Sequence, residues 1–150
     1  MACAVDVRLL DAAFAPASEI DGFARGHAGA GGVASFIGQV RGGDGVEALE
    51  LTHYPPLTLP AMRELAAQAA GRWPLEALLV VHRVGVMLPG DAIALVAAAA
   101  RHRRDAFAAS EFLMDHLKSD SWFWKRERRD GVWHWIEPRA EDHADKARWG

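Results

Sequence analysis

The dipeptide Asp130-Gly131 limits what this 150-residue chain can fold into more than any other pair in it. It separates residues 122–128 from residues 132–136, two segments of strand length. An Asp-Gly pair favours the two-residue turn in which both central residues hold positive φ, and that turn joins antiparallel strands. A hairpin is therefore expected near the C-terminus. Alternate side chains of a strand share a face. Phe123, Lys125 and Glu127 should point one way, and Trp122, Trp124 and Arg126 the other.

The rest of the chain mixes strand and helix patterns. Residues 6–10 read as a short strand. A helix is expected over 17–26, with Ser18 as its N-cap. Residues 33–41 read as a strand interrupted by Gly38, and 46–54 alternate as a strand does. Between them lies the loop Gly42-Gly43-Asp44-Gly45. The spacing of Leu59, Met62, Leu65, Ala66 and Ala69 predicts a helix over 58–73, capped by Thr58, with Pro60 in its first turn and Pro74 as its stop. Residues 75–84 form an apolar run of strand length, and 88–91 a turn. Residues 92–98 read as a buried strand or the start of a helix, since alanine leaves both open. The clearest helix covers 101–118, with Ala106, Phe107, Ser110, Leu113, Met114 and Leu117 on one face. The tail, residues 138–149, suits a short helix. There is no strict β-α-β repetition, which favours an α+β fold of one domain, 1–150, over a doubly wound sheet.

Charge narrows the function. Lys and Arg total 17 against 20 Asp and Glu, a net charge of −3, so a nucleic-acid protein is disfavoured. The cations cluster at Arg101, Arg103 and Arg104 and again at Lys125, Arg126, Arg128 and Arg129, which suits a small anionic ligand. Cys3 is the only cysteine. It can form no disulfide within the chain, which favours a reducing compartment, the cytoplasm. Near a terminus it is a poor catalytic thiol. No leader is evident, and no run approaches the ~20 apolar residues of a membrane span. There is no Walker loop, Cys-x-x-Cys pair, zinc ligand set or Gly-x-Ser-x-Gly elbow. No metal and no cofactor are expected. If the chain handles sulfur, the sulfur must arrive on a partner.

Candidate site residues have competing readings. Lys125 and Glu127 on one strand face suit a surface ion pair worth about 0–1 kcal/mol. They equally suit a partly desolvated lysine whose lowered pKa fits it for proton transfer. Lys118 ends a helix, where a cation complements the macrodipole. His102-Arg103 opens that helix, where an anion such as phosphate is favoured. Gln39-Val40-Arg41 ends a strand before the glycine loop and can also hold an anion. His82-Arg83-Val84-Gly85 and Pro89-Gly90-Asp91 read as fold determinants.

Taken in order, these motifs resemble one family. Phe36-Ile37-Gly38-Gln39-Val40-Arg41 with His53-Tyr54, then Arg72-Trp73-Pro74-Leu75, His82-Arg83-Val84-Gly85 and Pro89-Gly90-Asp91, resemble the large, catalytic subunits of molybdopterin synthase. His102-Arg103 with Ala106-Phe107, then Lys118, then Phe123-Trp124-Lys125-Arg126-Glu127, and finally Trp135-Ile136-Glu137-Pro138-Arg139 continue the series. The match spans about residues 33–149. One departure is visible: the family usually has a proline where this chain has Trp122.

The resemblance implies an α+β hammerhead-type fold with antiparallel sheets, forming a homodimer at the centre of a heterotetramer. It implies a small ubiquitin-like sulfur-carrier partner, whose C-terminal Gly-Gly bears a thiocarboxylate. The implied reaction installs two sulfurs on cyclic pyranopterin monophosphate, forming the dithiolene of molybdopterin. Lys118 would meet the thiocarboxylate, and Lys125 would stabilise charge or move protons. Arg41, His102, Arg103 and Arg139 would hold phosphate and pterin. Gln39, Val40, Arg126 and Glu127 would line the site, and Phe36 and Met114 would form an apolar wall. His102 and Lys118 lie sixteen positions apart, ~24 Å along one straight helix. His102, Arg103 and Arg139 are therefore expected to reach the site from a second subunit. The competing readings are a non-catalytic phosphate- or nucleotide-binding module and an inactive paralogue that only recruits the carrier.

Overall fold

The apolar run at 75–84 and the alanine-rich run beyond it become the two central strands of a sheet. A computed structural model describes residues 2–119, 122–137 and 140–150. In chain order the elements are β1 (Ala4–Leu10), α1 (Pro16–Gly26), β2 (Gly32–Gln39), β3 (Ala48–His53), α2 (Pro55–Arg72), β4 (Leu75–Arg83), β5 (Gly85–Met87), β6 (Ala92–Ala100), α3 (Arg103–Ser119), β7 (Phe123–Arg129), β8 (Val132–Ile136) and α4 (Ala140–Ala147). The fold is mixed α+β. One sheet runs β1-β4-β6-β2 and the other β5-β3-β7-β8. The sheets are antiparallel as expected, apart from one pair, β1 with β4, which is parallel.

The alanine run resolves as strand through Ala100, with residues 94–100 all buried. β6 is bonded on both edges and covered on both faces. Leu78, Val80, Val96 and Ala98 meet Met62 and Leu65 of α2 and Phe112 and Leu113 of α3. Leu79, Val81, Leu95 and Ala97 meet Phe14 and, from α1, Ile20 and Phe23. Small side chains on β6 let α3 pack close through Ala106 and Ala109.

Helix boundaries shift for identifiable reasons. α1 starts at Pro16 after Ala15, and no side chain caps it, so Ser18 is not its N-cap. α2 starts at Pro55, because proline's fixed φ suits the first helical position and Tyr54 before it is extended. Thr58 is therefore inside the helix, and Pro60 lies past the first turn, where it removes one backbone bond. α3 starts at Arg103, and the carbonyl of His102 accepts the first turn's N–H groups from Asp105 and Ala106. Phe107 is 59% exposed and belongs to the outer face; Phe112 is the fully buried aromatic.

The second sheet places the site. The chain leaves β4, bends at Val84 and enters β5 through Gly85, whose φ of 95° excludes most side chains. β7 and β8 form the expected hairpin, with Arg129 opposite Val132 and positive φ at both Asp130 and Gly131. β2 carries a register shift between Gly38 and Gln39, the interruption expected at Gly38, and ends at Gln39. No described helix is long and apolar enough to cross a membrane.

Candidate active site

β7 lies between β3 and β8, which sets Lys125 opposite Leu51 on one side and Ile136 on the other. Its amine is held below the ordinary lysine range, first by desolvation and then by the positive charges of Lys118 and Arg41; Glu127 and Asp142 oppose the shift. Lys125 as a residue remains exposed. The amine is thus partly, not fully, desolvated. Three separate segments deliver these cations: Lys118 from the end of α3, Arg41 from the loop after β2, and Lys125 from the middle of β7. Among the described residues no carboxylate stands at ion-pair distance from Lys125. The expected Lys125–Glu127 pair is replaced by another, because the Glu127 carboxylate accepts from Arg129 at 3.0 Å.

The neighbouring side chains divide by face. Val40 is buried, and its backbone N–H donates to the Asp91 carbonyl at 2.9 Å while its own carbonyl accepts from Gly90 at 2.8 Å. These bonds fix where the chain leaves β2 and so place Gln39 and Arg41, both exposed. Phe36 is exposed on β2, and Met114 is half-buried against the core under α2 and α3. Arg126 points to the opposite face from Lys125. There it pairs with Glu50 and lies over the Trp133 ring at 4.6 Å. Arg126 thus faces away from the Lys125 amine, with its charge taken up by Glu50.

At the other end of α3, Arg101, His102, Arg103, Arg104, Asp105 and Gly31 line a cleft of about 620 Å³. It is a second cationic site, separated from Lys118 by the length of the helix. Arg139 lies outside the described residues. Among the described residues no cluster of histidine, cysteine and carboxylate side chains suits a metal ion.

Sequence reasoning read His82 only as a fold determinant and missed that two histidines back Phe123, at the start of β7. His82 is 6% exposed and stacks on Phe123, with ring centroids 4.1 Å apart and planes 18° off parallel. Burial lowers its pKa to about 4, so it is neutral near pH 7, and Nδ1–H donates to the Arg83 carbonyl at 3.0 Å. His53, the register partner of Phe123, has a buried Nδ1 with no partner among the described residues. The available signal was the position of each histidine at or beside a strand end within a quoted motif.

The family model described as MoaE protein matches residues 10–120. The molybdopterin synthase catalytic subunit of Caulobacter vibrioides is 46% identical over 144 residues, 95% of this chain and 96% of that protein. That of Ralstonia nicotianae is 45% identical over 147 residues, 96% of this chain and 84% of that one. The solved molybdopterin biosynthesis MoaE protein of Burkholderia ambifaria superposes with a TM-score of 0.81 at 42% identity, covering 100% of this chain and 99% of that one. The chain belongs to the MoaE family, the catalytic subunits of molybdopterin synthase.

Proposed function

We propose that this chain transfers sulfur from the C-terminal thiocarboxylate of a small ubiquitin-like carrier to cyclic pyranopterin monophosphate, building the dithiolene of molybdopterin. The observation that carries the reading is the convergence of Lys118, Arg41 and a desolvated Lys125 on one neighbourhood. Both reactants are anionic. Fixed cations in a partly desolvated setting favour charge that develops during transfer more than the same cations in water. Lys118 meets the thiocarboxylate. Lys125, with its lowered proton affinity, moves a proton or steadies charge as oxygen leaves the pterin side chain. Arg41 holds phosphate, Gln39, Val40 and Glu127 line the site, and Phe36 and Met114 wall it. We assign Arg126 a structural role instead. The chain works without a resident cofactor or metal, in the cytoplasm, with a carrier on each copy of a central homodimer.

His102, Arg103 and Arg139 complete the site from a second copy. β2 is an edge strand with Val33, Phe36 and Ile37 exposed, and Phe107 of α3 is exposed as well. An apolar edge of this kind is a template for strand pairing. Two-fold antiparallel pairing of β2 with a second β2 sets Gly32 near the other copy's Gln39. Arg103 packs directly on Gly32, where an added Cβ would stand 3.4 Å from the Arg103 Cα. The second copy's Arg103 is thereby carried toward Gln39 and Arg41.

The test is dithiolene formation with purified thiocarboxylated carrier and pterin substrate. Lys118→Ala should abolish product while substrate binding persists. Lys118→Ala mixed with Arg103→Ala should recover about a quarter of wild-type activity, since half the dimers are mixed and each holds one intact site. No recovery after verified subunit exchange refutes the shared site.

A further inference from the structure

Residues 122 and 123 lie between the two lysines in sequence, and three separate elements hold them. Thr58 of α2 is fully buried. Its hydroxyl stands 3.1 Å from the carbonyl of Tyr54, the residue just before the helix, and 3.2 Å from the Trp122 carbonyl. The first contact alone would satisfy a threonine inside a helix. The second reaches 64 positions along the chain, to the residue just before β7. His82, at the end of β4, lies flat against Phe123, and His53 of β3 is paired with it in register. Trp122 packs on the core beneath α2 and α3, while Phe123 packs on that core and on the core of the second sheet.

We propose that Thr58, together with His82 behind Phe123, is a positioning device that fixes the entry into β7 and thereby sets where Lys125 stands relative to Lys118. The inference rests on reading those two lysines as the catalytic pair. Lys118 is anchored by α3, and Lys125 is two residues beyond Phe123 on the same strand face. The pairing of β7 with β3 and β8 sets its register, and Thr58 with the His82 ring holds the end of the strand nearest Lys118 in sequence. Reaction rates are sensitive to misplacements of about 1 Å. Thr58 and His82 touch no reacting group; they act through the backbone of Trp122 and the ring of Phe123.

The chain contains three lysines, Lys118, Lys125 and Lys146. Protein labelled with ¹³C at lysine Cε therefore gives three signals, assignable with Lys→Arg variants. Thr58→Val keeps the shape and removes the hydroxyl; Thr58→Ser keeps the hydroxyl. In Thr58→Val, kcat should fall about tenfold or more with KM for the pterin held within about twofold. The Lys125 titration should move up toward the ordinary lysine range, as the amine leaves its partly desolvated place among Lys118, Arg41, Glu127 and Asp142. Thr58→Ser should restore both. Should Thr58→Val not fold, Phe123→Leu, at a half-buried position, is read in the same way. A folded Thr58→Val or Phe123→Leu protein with wild-type kcat and an unmoved Lys125 titration overturns the proposal. The titration needs no turnover. A wild-type protein that fails to convert the pterin refutes the proposed reaction and leaves the positioning test standing.

Discussion

Lys125 and Arg126 are adjacent cations on one strand, and their surroundings are opposites. Arg126 pairs with Glu50 directly across the sheet and lies over Trp133 at 4.6 Å and Trp135 at 5.7 Å. Its charge is matched by a carboxylate and two ring faces, so it ties β3, β7 and β8 together. Lys125 has no carboxylate at ion-pair distance among the described residues, and desolvation and the charges of Lys118 and Arg41 act against its proton. A matched cation builds the sheet. An unmatched one is costly to the fold and available to an anion. On the proposed reading the two faces of β7 therefore separate stability from chemistry at neighbouring positions, and substitutions at the two should have opposite consequences.

Among substitutions on β7, the largest effect is expected at Lys125. Lys125→Met should lower kcat by about 10² or more, the scale of a lost proton-transfer group. Stability should not fall with it. The folded-state pKa of Lys125 is depressed, so between that value and the ordinary 10.5 the unfolded chain binds more protons. Over that window wild-type stability rises with pH. Below it the folded state carries the full cost of the poorly solvated charge, which methionine removes. Urea unfolding at pH 7 should show Lys125→Met equal to wild type or more stable by less than about 1 kcal/mol, since the residue is partly exposed. A loss of stability together with near-normal kcat would reverse the assignment of the two faces.

A second test acts behind Phe123, at the start of β7, through His82. Its pKa is about 4 in the fold against an ordinary 6.5. The folded state refuses a proton that the unfolded chain accepts, so stability is lost as pH falls from about 6.5 to about 4. At 1.36 kcal/mol per pH unit the loss is about 3 kcal/mol. His82→Phe keeps a ring against Phe123 and cannot titrate. The difference between wild-type and variant stability, followed by urea unfolding from pH 7 to pH 4, should change by that order. Parallel curves would show that His82 does not stay neutral in the fold.

The hairpin and the division of β7 into two faces were legible because local chemistry dictates them. Asp130 and Gly131 take up the positive φ that their turn demands, and a turn of fixed length fixes register. A slip of one residue would exchange Lys125 and Arg126 between faces, so the Asp-Gly pair decides which cation shares the neighbourhood of Lys118 and Arg41. Gly38 likewise announced the irregularity in β2. What stayed hidden depends on contacts far apart in sequence. Thr58 has a plausible capping role in the sequence, and only the approach of Trp122 shows where its hydroxyl reaches. Phe107 fits the apolar stripe of α3, yet the stripe's phase is set by Phe112 packing edge-on against Trp73 and Trp149. That Arg129 takes the Glu127 carboxylate, and that Glu50 pairs with Arg126, could not be read from alternation alone, because spacing shows who shares a face and not who wins a partner.

The smallest of these effects belongs to Arg126, and it is the most selective. Arg126→Ala removes a cation at a half-buried position and leaves the Glu50 carboxylate without its cross-strand donor. Breaking a fully buried pair costs 3–5 kcal/mol, and an exposed one 0–1, so this site should cost about 1–3 kcal/mol. Loss of the stacked guanidinium from Trp133 and Trp135 falls within that range. Because the side chain faces away from Lys125, kcat and KM should stay within about threefold of wild type at temperatures where the variant is folded. Glu50→Gln separates charge from shape: it should recover part of the stability lost in the background of Arg126→Ala, because no unpaired carboxylate then remains. A coupling near zero in that double-mutant cycle would mean that the rings, not the carboxylate, hold Arg126. A large fall in kcat with stability intact would instead return Arg126 to the pocket and erase the contrast between the faces.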